Sequence, residues 1–295
     1  MLTKLDSVML SILSLVIVVS QVNDSAGLNK NTSGPLVEKP ACQNTQKALN
    51  VAKQASPQSS QLAPCPELPA SKLPDFSGIS DVRVKKQAFF DYMLPIIEAR
   101  NASLKELRKR IKELAEASQR SPDDISWLRD IANVYELKTE EYISKEFFDQ
   151  LLQRVDIIPP SLALVQAANE SAWGTSRFAR EGNNLFGQWC FSKGCGLVPS
   201  ARPAGETYEV RKFDGVAQSV QSYMHNLNTQ HQYASLREIR ANKRKNHEPV
   251  TGPALAYGLS AYSIRGLEYV EELLAMIQVN NLLNLDHQAT TISQK

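Results

Sequence analysis

The sequence predicts a mainly α fold that carries one small β-hairpin lobe. Three observations predict it. Apolar residues recur at helical spacing from about Asp81 to Val155, and again from Val216 to Ile277. Between these blocks, from Gly182 to Asp214, the period disappears, and Gly182, Gly187, Gly194, Gly196, Pro199, Pro203 and Gly205 punctuate the chain. Inside that stretch Thr207-Tyr-Glu-Val-Arg-Lys-Phe213 is the best strand candidate. No repeat of solenoid or propeller length is visible.

The N-terminal part reads as export machinery and spacer. Val8 to Val19 is an apolar run of twelve residues behind Lys4. That is short of the ~20 residues needed to span a bilayer. It has the layout of a secretory h-region, so residues 1–20 are expected to be a signal peptide or an uncleaved signal anchor. Membrane contact is expected only there, and only if the segment is retained. Residues 21–75 are rich in Ser, Asn, Gln, Pro and Lys without a sustained apolar period, and are expected to be a flexible polar linker.

Export changes how the cysteines read. The four are Cys42, Cys65, Cys190 and Cys195. In an oxidising compartment the pairing 190–195 plus 42–65 is the most economical connectivity. Zinc is the rival, but there is no Cys-x-x-Cys and no ligand spacing among His225, His231, His247 and His287, so no metal or other cofactor is expected. With 33 Lys+Arg against 31 Asp+Glu, the near-zero balance gives no reason to expect nucleic-acid binding.

The helices follow in order. Val84, Ala88, Tyr92 and Ile96 make a first stripe, and Leu104, Leu107, Ile111 and Leu114 a second on a very charged segment whose charges read as a solvated face. Ser121-Pro122 and Ser144 are helix starts. Residues 76–158 thus form a helical extension. Pro159-Pro160 can open the next helix, Ser161–Trp173, with Gly174 placed as its C-cap. That helix is apolar nearly all round and should be central and buried. Residues 159–283 form the second body. The polar tail 284–295 is expected to fray.

One residue conflicts with its setting. Glu170 sits at the end of an apolar run, on the face of Ala163, Gln166 and Ala167. A poorly hydrated carboxyl keeps its proton to higher pH and can then donate it to a leaving oxygen. The bland alternative is a Glu paired with Arg177 or exposed at the helix end.

The stretch Gln166-Ala-Ala-Asn-Glu-Ser-Ala-Trp-Gly-Thr-Ser-Arg-Phe-Ala-Arg180, followed by Gly182-Asn-Asn-Leu-Phe-Gly187, resembles the signature of the bacterial glucosaminidase domain, glycoside hydrolase family 73. The Cys190–Cys195 loop and the long helical extension look most like its Bax-type branch in Gram-negative bacteria. The resemblance covers roughly Pro159 to Leu283, with a weaker likeness back to about Phe76. It implies a lysozyme-like fold: an α-helical lobe, a small β-hairpin lobe and a sugar-binding groove between them. It implies cleavage of the β-1,4 bond after N-acetylglucosamine in peptidoglycan, in the periplasm or cell envelope, by a protein expected to be a monomer.

By the same resemblance Glu170 is the general acid. The second carboxylate is Glu206 or Glu209, which face opposite sides of a strand, with Glu206 favoured. Tyr233 matches the family tyrosine. Trp173, Phe186 and Trp189 are candidate sugar platforms, and Asn183 and Asn184 could bond sugar or set the turn. The nearest rival is a lytic transglycosylase on the same fold, which needs no second acid. A different class is a non-catalytic wall-binding or scaffold module, with the extension contacting a partner.

Overall fold

The computed structural model describes residues 73–138 and 143–291. The export segment, the linker and the Cys42–Cys65 pairing lie outside the described residues. Among those described, no helix is long and apolar enough to cross a membrane.

The chain is mainly helical with one small sheet, as a lysozyme-like fold requires. After a 3-10 turn at Phe76–Gly78, helix α1 runs Val82–Glu116 without a break, passing through Pro95 and joining the two expected stripes into one element. Asp81 starts it by accepting the N–H groups of Arg83 and Val84. Helix α2, Pro122–Val134, opens on a capping box between Ser121 and Asp124. Helix α3, Lys145–Arg154, opens on Ser144 as expected.

Helix α4, Pro160–Glu170, is buried along nearly its whole length. It ends three residues before the expected Trp173. Ala172 (φ 50°) and Trp173 (φ 59°) turn left-handed ahead of Gly174 (φ 75°). Left-handed backbone at two non-glycine residues is strained and persists only where packing enforces it. Here Trp173 is wedged edge-on against Phe89 and Phe90 of α1, with ring centroids 5.8 and 5.2 Å away. A Cβ at Gly174 would lie 2.7 Å from the Phe76 ring. The extension therefore shapes the end of the helix that carries Glu170.

Helix α5, Arg177–Gly182, leads into the small lobe. Strands β1 (Trp189–Cys190), β2 (Gly196–Leu197) and β3 (Glu209–Arg211) form an antiparallel sheet in the order β1-β3-β2. The expected seven-residue strand is only three residues long because its partners are two residues each. The Cys190–Cys195 disulfide closes the loop between β1 and β2.

Helix α6 is Val216–Thr229, and a 3-10 turn, His231–Tyr233, joins it to α7, Ala234–Lys245. Helix α8 is Gly252–Ala256 and α9 is Leu267–Val279. The tail departs from expectation. Leu283–Thr291 forms helix α10, because buried Asp286 accepts Ser161 N–H, Ser161 Oγ–H and Gly252 N–H. A polar run docks when one of its side chains satisfies buried donors.

One hydrophobic core runs from Leu73 to Leu282, and α1 packs directly on α3, α4 and α6. No break in it falls at residues 158–159. Buried Asn101 of α1 instead exchanges two hydrogen bonds with the backbone of Ile158.

Candidate active site

Glu170 occupies the last position of α4, half-buried. Its side chain does not pair with Arg177, which reaches Glu181 and the carbonyl of Val198 instead. Oε1 accepts a hydrogen bond from the Tyr269 hydroxyl at 2.9 Å. Oε2 faces Gly187, where an added Cβ would come within 3.3 Å of it. Gly187 is at φ +63°, so the turn both needs glycine and keeps the space beside the carboxyl open.

The electrostatics favour the protonated form. Burial pushes the Glu170 pKa up to about 7, and the nearby Glu272 carboxylate adds to the rise. The Tyr269 hydrogen bond and Arg265 pull the other way without reversing it. Arg265 is itself paired with Glu272 at 2.8 Å. Tyr223, Tyr233, Tyr262 and Tyr269 surround the group, and burial raises the pKa of every one, keeping these phenols neutral donors.

Tyr233 is buried beside Tyr262, ring centroids 5.8 Å apart, and feels the charge of Glu170. It lies at the end of the 3-10 turn before α7. Tyr262 stacks on Tyr269 and donates to the Phe186 carbonyl. That bond ties the Gly187 turn to the helical lobe.

The β lobe separates the two glutamates. Glu209 is buried on β3, and its carboxylate accepts Gly194 N–H at 3.0 Å and Gly196 N–H at 2.7 Å. Those two backbone donors hold its pKa below the ordinary range. The side chain is spent on shaping the disulfide loop. Glu206 is half-buried just ahead of the strand. Cys190, Cys195 and Glu209 come close enough to suggest metal ligands, but the sulfurs are bonded to each other.

Several expected sugar contacts are structural. Phe186 is buried and stacks on Tyr223 at 3.9 Å, so neither is an open platform. Asn184 is buried, with its amide donating to the Gln188 and Arg211 carbonyls and its oxygen accepting from Phe186 and Gln188 N–H. It builds the turn and has no capacity left for sugar. Asn183 caps α5 in the left-handed conformation and donates to the Phe213 carbonyl. Trp173 is committed to α1, where Lys86 also covers its ring at 4.9 Å. Trp189 is half-buried on β1, edge-on to Tyr208.

Tyr269, Tyr262, Arg265 and Glu272 enter the site unforeseen. Tyr269 lies 99 positions from Glu170, on a helix legible only by its apolar stripe. Nothing local marks its hydroxyl as a partner of the acid.

The family model for mannosyl-glycoprotein endo-beta-N-acetylglucosaminidase matches residues 145–282. That span begins at α3, inside the expected extension, and includes every site residue named above. The chain is also 37% identical to Protein bax of Escherichia coli (strain K12) over 218 residues, covering 74% of this chain and 78% of that protein. No solved structure gives a significant match.

Proposed function

The chain belongs to the glucosaminidase family, in its Bax-type branch, and from that premise we propose that it hydrolyses the β-1,4 bond after N-acetylglucosamine in peptidoglycan, with Glu170 as general acid. The observation that carries this reading is the Glu170 carboxyl, held between Tyr269 and Gly187 with a pKa of about 7. At neutral pH a large share of it carries a proton, as a general acid must.

Breaking the glycosidic bond develops positive charge on the ring and negative charge on the leaving oxygen. Glu170 gives its proton to that oxygen, and the bonding electron pair leaves with it. Of the two β-lobe glutamates, Glu206 is the better second carboxylate, since the oxygens of Glu209 are engaged by backbone donors. It activates a water or steadies the cation. Where the substrate's own acetamido group attacks instead, Tyr233 steadies that group. We assign the protein to the cell envelope, with peptidoglycan glycan strands as its partner.

A zymogram on purified peptidoglycan with the wild type and Glu170→Gln tests the reading, followed by product analysis. Clearing by the wild type alone, with reducing-end N-acetylglucosamine, supports it. Anhydro-muramic ends support a lytic transglycosylase. Equal clearing by both proteins removes Glu170 from the chemistry, and no clearing by either supports a wall-binding module.

A further inference from the structure

Behind Glu170 runs a hydrogen-bonded chain with one direction. The Tyr223 hydroxyl donates to Gln166 Oε1 at 2.6 Å. Gln166 Nε2 donates to the Tyr269 hydroxyl oxygen at 3.1 Å. Tyr269 then donates to Glu170 Oε1 at 2.9 Å. Of the three side chains only Tyr269 bonds the Glu170 carboxyl, and Gln166 is fully buried.

Each link fixes the next. Tyr223 gives its single hydroxyl proton to the Gln166 amide oxygen. That orients the Gln166 amide with Nε2 toward Tyr269. Tyr269 receives this donor on its oxygen and must send its own proton onward to Glu170 Oε1. A proton placed on Oε1 would oppose the Tyr269 proton and strand a buried donor, at a cost typical of an unmade buried hydrogen bond. Oε2, on the open Gly187 side, is free of that conflict.

We propose that the Tyr223–Gln166–Tyr269 chain confines the transferable proton of Glu170 to Oε2, making Gln166 and Tyr223 positioning residues for the acid. This deepens, and rests on, the reading of Glu170 as general acid. During bond cleavage the Oε2–H bond breaks and a bond forms from that proton to the glycosidic oxygen. The C1–O electron pair stays with that oxygen, and the charge left on the carboxylate meets the Tyr269 proton already waiting at Oε1. The hydrogen bond strengthens as charge develops, which is the condition for catalytic benefit.

Other charged and titratable groups around the acid are Glu272 and Arg265, on and just before α9, and the phenols Tyr233 and Tyr262. None of them is a link in the chain. Removing the Tyr223 hydroxyl frees the amide to turn, so that Tyr269 donates to Gln166 instead of Glu170. The carboxylate then loses a donor and its pKa rises.

The test is the 13C NMR titration of the Glu170 carboxyl in the intact protein, assigned with Glu170→Gln, alongside peptidoglycan hydrolysis. Tyr223→Phe is expected to raise the titration midpoint by about half a unit to one unit, and Tyr269→Phe by at least as much. The double variant should move no further than Tyr269→Phe alone, because Tyr223 acts through Tyr269. Gln166→Met should shift the midpoint in the same direction, and it serves if one tyrosine variant folds poorly. Hydrolysis with an unmoved midpoint in both Tyr223→Phe and Gln166→Met would overturn the chain and leave the glycosidase reading standing. Additive shifts in the double variant would overturn it too. The expected shifts without any hydrolysis would uphold the chain's hold on the carboxyl and sink the glycosidase reading.

Discussion

Two carboxylates within fifteen residues of each other show how surroundings decide what an acid does. Asp156, just after α3, is almost wholly buried, and Arg244 grips it with both Nε and Nη2 at 3.0 and 2.9 Å. Arg108 and Arg240 approach the same group at 3.6 and 4.0 Å. Burial works to raise its pKa, but these guanidinium groups outweigh burial and hold it below the ordinary range. Glu170 is half-buried among neutral phenols with another carboxylate nearby, and its pKa goes up to about 7. The first is a permanent anion that pins α1, α3 and α7 together. The second is an acid that can let its proton go. Burial desolvates both, and the three guanidinium groups on Asp156 separate a fixed anion from a carboxyl that keeps its proton to neutral pH.

The largest expected break in this comparison is kinetic. Glu170→Gln should cut peptidoglycan hydrolysis about a thousandfold or more while leaving the fold intact, measured by product release and circular dichroism together. Next comes the clamp. Asp156→Ala leaves Arg240 buried without its counter-charge, and a loss of roughly 3–5 kcal/mol is expected in urea unfolding.

His225 sharpens the comparison with a third buried group. Burial first, and Arg100 second, depress its pKa to about 4, so it is neutral in the folded protein. The unfolded chain binds its proton at about 6.5. Stability should therefore fall as pH drops from about 6.5 to about 4, by about 3 kcal/mol in all. His225→Gln should flatten that window. The contribution of Asp156 has the same sign but is lost only below the ordinary Asp range, so the two separate on the pH axis.

Glu170 has the opposite linkage. Its folded pKa is raised, so the stability it contributes is complete below about 4.5 and is lost as pH rises through about 7. Glu170→Gln should accordingly stabilise the protein by roughly 2–3 kcal/mol at pH 8 and by little at pH 4, read from thermal unfolding at the two values. An inactive variant more stable than the wild type marks a residue kept for chemistry.

What could be read from the sequence follows the range of the physics. Caps and stripes act within a turn or two, so Asp81, Ser121, Ser144 and Pro160 marked helix starts, and the glycine-rich insert marked the β lobe. Glu170 was legible as a charge at the end of an apolar run. The early end of α4 was not, since a left-handed Trp173 is imposed by Phe89 and Phe90, some eighty positions away. Asn184 and Phe186 suggested sugar contacts because side-chain type does not reveal which way a turn folds its amide and ring. The docking of α10 hid for a similar reason, as Asp286 reads as polar until Ser161 and Gly252 are brought beside it.

The pH dependence of kcat/KM for peptidoglycan hydrolysis tests the central claim most directly, because it reports the acid of the free protein. A general acid at Glu170 requires activity to decline through a basic limb near pH 7, and that limb must go with the activity in Glu170→Gln. A limb at the ordinary glutamate value of about 4.5, or full hydrolysis by the Gln variant, would contradict it.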